Sequence, residues 1–286
     1  MNIKEFTEKI QSALAVSLNR EVQLKETLKL NNIRRYGIVI AESENSLSPV
    51  IHLEKLFEDF QNGKSMNAVL NIIIDIYHKD RLKKPVDMEW VRHFDQARET
   101  IFYFLVNYDA NRELLSQIPH FRYLDLAVVF GMKSGLENAP GTITVFNSHL
   151  DMWGITAEEL FPIAEANTPQ LYPLQVSYMP DLVPGNPFPG HPSQMYVLTN
   201  SYRTYGAAAI RYKDTLKGFS LLMGRDILLL PDSIHKMVLV PLTEGENPES
   251  YRDTIRSTNE HFTGISEFLS NSIYLYKRDT GEIIVA

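Results

Sequence analysis

The chain of 286 residues contains no cysteine. That excludes a disulfide framework, a thiolate zinc site, an iron–sulfur cluster and a cysteine nucleophile. It fits a reducing cytosol. Positive charge is scarce: 28 Lys and Arg stand against 35 Asp and Glu, a net charge of −7. Nucleic-acid backbones are held by clustered Lys and Arg. Here the only basic clusters are Arg34-Arg35 and Lys79 to Lys84, and Asp80 interrupts the second. No nucleic-acid partner is expected. Long apolar runs are missing too. Val69–Ile76 and Leu124–Phe130 fall far short of the ~20 residues that span a bilayer, so no membrane association is expected. The opening Met1-Asn2-Ile3-Lys4-Glu5-Phe6 lacks the apolar stretch of a signal peptide. No Gly-x-Gly-x-x-Gly occurs. Gly63-Lys64-Ser65 resembles the end of a phosphate-binding loop, but Glu58 stands where that loop needs glycine.

What is present is ordinary globular material, 44% hydrophobic and 22% charged. Ile3, Phe6, Ile10 and Leu14 recur at helical spacing. Val22 to Leu30 and Tyr36 to Ile40 alternate as strands around an Asn31-Asn32 turn. A strand at Pro49–Leu53 and helices at Glu54–Gln61 and from Ser65 onward complete a first unit, residues 1–86. The second unit, 87–286, starts with a helix over Met88–Ala97 and a strand over Ile101–Val106. Tyr123–Gly131 and Gly141–Leu150 read as a hairpin. Thr156 to Glu159 is a capping box, starting a helix that ends by Asn167-Thr168-Pro169. Met195–Asn200 and Ala207–Tyr212 read as another hairpin. Further strands are expected at Ile227–Leu230, Met237–Val240, Ile273–Lys277 and Ile283–Val285, with helices at Asp214–Leu222 and Pro248–Phe262. The pattern gives an α+β fold of mostly antiparallel, hairpin-built sheets with packed helices.

Three sets of residues invite chemistry. Asp87, Glu89, His93 and Asp95 are metal-ligand types, but no third convergent ligand is evident, and an exposed helix face is the simpler account. Ser233-Ile234-His235 lacks the glycine elbow of a nucleophile. The third set is richer. On a strand, Asn147, His149 and Asp151 share a face. Pairing across the intervening loop places Asp125, and His120 before it, near the same end. Two histidines, two aspartates and an asparagine can orient a water, hold a divalent metal or cradle a ligand. Asp125, alone in an apolar strand, is expected to bond backbone amides, Asn147 or His149. Pro180 to Pro192 holds five prolines and two glycines, so it is a loop or lid. Leu182 and Phe188 are its candidate contact residues.

The segments Leu105-Val106-Asn107-Tyr108-Asp109-Ala110-Asn111, Ile118-Pro119-His120, Leu124-Asp125-Leu126-Ala127 and Asn147-Ser148-His149-Leu150 form an ordered set. With them go Trp153-Gly154-Ile155-Thr156, Met195-Tyr196-Val197-Leu198-Thr199-Asn200 and Leu230-Pro231-Asp232-Ser233-Ile234-His235. Together they resemble a domain-of-unknown-function family from gut Firmicutes, over nearly the whole chain. The resemblance implies a bacterial, cytosolic protein and carries over no activity, cofactor or catalytic residue.

The residues thus favour a soluble, non-catalytic binding or interaction protein whose partner is a protein or small molecule. The rival is a hydrolase, metal-assisted or not, built on His120, Asp125, Asn147, His149 and Asp151. No specific metal or cofactor is implied.

Overall fold

An asparagine ahead of the first apolar stripe decides where the first helix starts. Asn2 accepts the Glu5 N–H and the Glu5 carboxylate accepts the Asn2 N–H, so α1 (Ile3–Leu18) opens on a capping box. The structure, a computed structural model, describes residues 1–40, 50–80, 88–135, 141–182, 194–261 and 263–286. It divides into two units, Met1–Lys29 with Ile33–Met88, and Leu30–Asn32 with Glu89–Ala286.

In the first unit β1 (Val22–Leu28) pairs antiparallel with β2 (Arg34–Ile40), and β3 (Ile51–His52) lies on the other side of β2. The expected two-residue turn is longer, a connection closed by Lys29 N–H to the Ile33 carbonyl. Asn31 and Asn32 both take positive φ there, which asparagine tolerates. Helices α2 (Glu54–Gln61) and α3 (Met66–Asp80) follow. Phe6, Ile10, Ile38, Leu53, Val69 and Ile73 form a fully buried core.

In the second unit the helix expected over Met88–Ala97 is two short ones, α4 (Glu89–Arg92) and α5 (Phe94–Ala97), because His93 between them is extended. The strands β4 (Ile101–Asn107), β5 (His120–Tyr123), β6 (Leu126–Ser134) and β7 (Gly141–Thr144) form one sheet, with α6 (Arg112–Leu115) before β5. Strand β6 pairs with β4 along one side and with β5 and then β7 along the other. The expected strand from Tyr123 is thus cut at a turn containing Leu124, at positive φ, and Asp125. The strand expected to reach Leu150 stops at Thr144. From Asn147 the chain is helical, as α7 (Asn147–Trp153). Two local features decide this: the His149 ring accepts the Phe146 N–H at 3.0 Å, and Gly154 ends the helix in the left-handed region.

Helix α8 (Ala157–Leu171) begins on the Thr156–Glu159 capping box. It packs along β4. It also runs through Pro169 instead of ending there. Tertiary bonds hold its last turns: Asn167 Nδ2 donates to the Arg98 and Ile101 carbonyls, and Thr168 Oγ1 accepts the Tyr103 N–H.

The third sheet has the order β13-β12-β10-β11-β9-β8, all antiparallel. Its strands are β8 (Leu174–Tyr178), β9 (Tyr196–Asn200), β10 (Ile227–Ser233), β11 (Lys236–Pro241), β12 (Tyr274–Tyr276) and β13 (Ile283–Val285). Strand β8 has no counterpart in the sequence reading. The strand expected at Ala207–Tyr212 is a 3-10 segment, Gly206–Arg211; its alanines carry no β-branch and are fully buried. Helix α9 (Thr215–Met223) follows it, and α10 (Arg252–His261) buries Ile255 against Leu228 and Leu230. The fold is α+β, with three antiparallel sheets and helices packed on them. Among the described residues no helix is long and apolar enough to cross a membrane.

Candidate functional site

The five residues grouped by the sequence reading take separate partners. Asp125 accepts from Ser270 Oγ and Tyr274 Oη, each at 2.6 Å, rather than from Asn147 or His149. The turn, not a strand interior, carries it toward the third sheet. His120 places Nδ1 3.1 Å from the Ile118 carbonyl and its ring beside Tyr108. Asn147 donates to the Ser116 carbonyl. His149 stacks on Trp153 at 5.5 Å, its Nδ1 occupied by the Phe146 N–H. Asp151 is exposed. On a helix, residues two apart point about 200° apart, so His149 turns away from the face that Asn147 and Asp151 share. Among the described residues no group of three His, Asp or Glu is placed to hold a metal ion.

The other two sets resolve similarly in their described members; Asp87 lies outside the described residues. Glu89 and His93 are an exposed pair 3.5 Å apart. His235 accepts the Tyr205 N–H on Nδ1 and sets Nε2 3.8 Å from Glu267, so neither nitrogen faces Ser233. Ser233 Oγ accepts the His235 N–H. Of the proposed contact loop, Leu182 is exposed, and Phe188 lies outside the described residues.

A different cluster holds the unsatisfied chemistry. Strand β4 turns Tyr103 inward, 1% exposed. Its ring stacks on Phe161 of α8 and meets the Tyr212 ring edge-on. Arg211 ends the 3-10 segment, its guanidinium 4.6 Å from the Tyr123 ring centre and 5.5 Å from that of Phe161. This is cation–π geometry against two faces. Tyr123, Phe161 and Arg211 are only half-buried, so the cluster reaches the surface on that side. Burial pushes the Tyr103 hydroxyl well above the usual tyrosine range, and the neighbouring Tyr212 adds to this while the Arg211 charge opposes it. Burial likewise raises Tyr123, again opposed by Arg211. Both tyrosines are therefore neutral hydroxyls that can donate.

Buried polar atoms normally have partners. Among the buried side-chain nitrogens and oxygens of the described residues three do not: Trp90 Nε1, Tyr103 Oη and Arg211 Nε. Two of the three lie in this one cluster. Arg Nε is a donor only, and a tyrosine hydroxyl donates well. The arrangement is suited to an acceptor-bearing group against an aromatic wall. The sequence signal was faint: a tyrosine inside the apolar run Ile101–Val106 and an arginine closing Ala207-Ala208-Ala209-Ile210. A separate cleft of about 600 Å³ lies between α8 and the segment 95–99, lined by Asp95, Arg98, Glu99, Pro162 and Asn167. The Asn167 amide nitrogen there is already committed to Arg98 and Ile101.

No curated protein and no solved structure matches the chain. The model of a family of unknown function, DUF5688, matches residues 3–278, and the chain belongs to that family.

Proposed function

We propose that this is a non-catalytic binding protein of the bacterial cytosol whose ligand is a small organic anion, a carboxylate on an aromatic or aliphatic body. The observation that carries the reading is the pairing of two buried, unpartnered polar atoms, Tyr103 Oη and Arg211 Nε, in one aromatic cluster. A carboxylate accepts from guanidinium and hydroxyl donors together, and Phe161 and Tyr123 offer the apolar surface that ligand sites use for affinity. The cysteine-free composition supports the cytosolic setting.

The test is thermal unfolding of the wild type and Arg211→Met with benzoate, 4-hydroxybenzoate and hexanoate. A saturable rise in Tm is expected for the wild type, equivalent to about 2.7 kcal/mol at a hundredfold excess over Kd, and none for Arg211→Met. The ligand should be recovered chemically unchanged. Failure of every acid, or an equal rise in Arg211→Met, overturns the reading. Conversion of the ligand would overturn the non-catalytic reading.

A further inference from the structure

Sheet edges are normally blunted against self-pairing, by charge, shortness or a covering element. Most described edges here follow that rule. Strand β1 carries Lys25 and Glu26, and β5 carries Arg122. Strand β4 is neutral and long, but α8 covers it, and Thr168 and Asn167 take up its outward Tyr103 N–H and Ile101 carbonyl. Strand β13 is three residues long and follows Glu282.

Strand β8 departs from it. Among the described residues it is the outer strand of its sheet, and Leu174-Gln175-Val176-Ser177-Tyr178 contains no charge and no proline. Ser201 N–H donates to the Pro173 carbonyl, and Met179 N–H to the Met195 carbonyl. With Val176 opposite Leu198, these bonds place the β9-facing groups at the odd-numbered residues. Leu174, Val176 and Tyr178 therefore turn their N–H and C=O outward. Their side chains share one face and are 43%, 37% and 38% exposed. The apolar surface continues from Tyr178 through Tyr196 and Phe219, with ring centres 5.4 and 5.1 Å apart. Leu222, one turn beyond Phe219 on α9, is 77% exposed.

We propose that β8 pairs with β8 of a second copy of this chain, antiparallel about a two-fold axis at Val176. That register sets Val176 against its own counterpart and Leu174 against Tyr178. Each of these pairs exchanges both backbone hydrogen bonds, so every outward group of the strand is satisfied. The register is self-complementary, as a two-fold contact requires. A chain of net charge −7 repels its own copy, and an uncharged strand is where that repulsion is least.

Sedimentation or light scattering of the full chain across concentration tests this. A dimer is expected. Val176→Lys brings two like charges together across the axis and should raise the dissociation constant by at least about tenfold. Val176→Pro removes an outward N–H that β9 does not use and should do the same, with thermal unfolding confirming that both variants fold. In this cysteine-free chain, Val176→Cys sets one thiol opposite its copy at the ~5.5 Å Cα spacing a disulfide can bridge, so oxidation should link the dimer covalently. A wild type that stays monomeric, or a dimer untouched by both Val176→Lys and Val176→Pro, overturns the proposal.

Discussion

The hydroxyl of Tyr274 donates a 2.6 Å hydrogen bond to the carboxylate of Asp125. Tyr274 is fully buried on β12, and Ser270, the second donor to the same carboxylate, is 1% exposed. A charged acceptor with two short hydroxyl donors is a strong arrangement. Asn259 extends the network by donating to the Ser270 carbonyl and to Asn271. Tyr274→Phe should lower unfolding stability by about 1.5–3 kcal/mol, the range for a hydrogen bond to a charged group. Asp125→Asn should couple with it in a double-mutant cycle by denaturant unfolding. Additive losses would show that the two residues act independently.

Gly206 is fixed by close approach rather than by φ. A Cβ built there would lie 2.5 Å from the His235 carbonyl oxygen and closer still to Thr199 Oγ1. That carbonyl also accepts the Thr199 hydroxyl and sits in the β10–β11 turn. Gly206→Ala should therefore cost roughly 3 kcal/mol, the upper end of overpacking penalties. A Tm equal to wild type would mean that the turn moves freely.

Tyr103→Phe removes a buried hydroxyl that has no partner among the described residues. Without added ligand it should leave stability unchanged or raise it by roughly 1 kcal/mol, because desolvation of the hydroxyl is relieved. With a carboxylate ligand the same variant should bind more weakly. A large loss of stability in the free protein would show that the hydroxyl is bonded internally.

Burial lowers the pKa of both His149 and His235; for His235 the nearby Glu267 opposes the shift. In each the Nδ1 atom accepts a backbone N–H, so the fold holds the neutral ring. A histidine whose folded pKa lies below its unfolded value of about 6.5 adds stability above that pH and loses it as pH falls toward the folded value. Urea unfolding at pH 8 and pH 5 should show the loss, and His149→Gln with His235→Gln should flatten it. A wild-type profile no steeper than that of the double variant would contradict this account.

The Thr156 Oγ1 accepts the Glu159 N–H at 3.3 Å, and the Glu159 carboxylate takes the Thr156 N–H at 2.8 Å. Thr156→Ala should lower stability by about 1 kcal/mol, read by thermal unfolding, and leave ligand affinity and dimerisation alone.

This last feature was legible from sequence because a cap involves residues three apart. The same holds for the α1 stripe, the β1–β2 hairpin and the strands at β10, β11, β12 and β13, where period and turn chemistry agree over short spans. What the sequence could not decide was where elements of mixed propensity break. Asn147 to Asp151 alternates well enough for a strand, but a histidine bonding back to Phe146 and a left-handed Gly154 make it helical, which scatters the grouped side chains. Asp125 reads as an acid inside a strand; its partners lie 145 and 149 residues away, so only tertiary packing could name them. Tyr103 and Arg211 are likewise far apart in the chain, on β4 and the 3-10 segment, and they meet because α8 folds Phe161 against both. Local physics follows from the sequence because its partners are neighbours; convergence of distant side chains follows only from the packed fold.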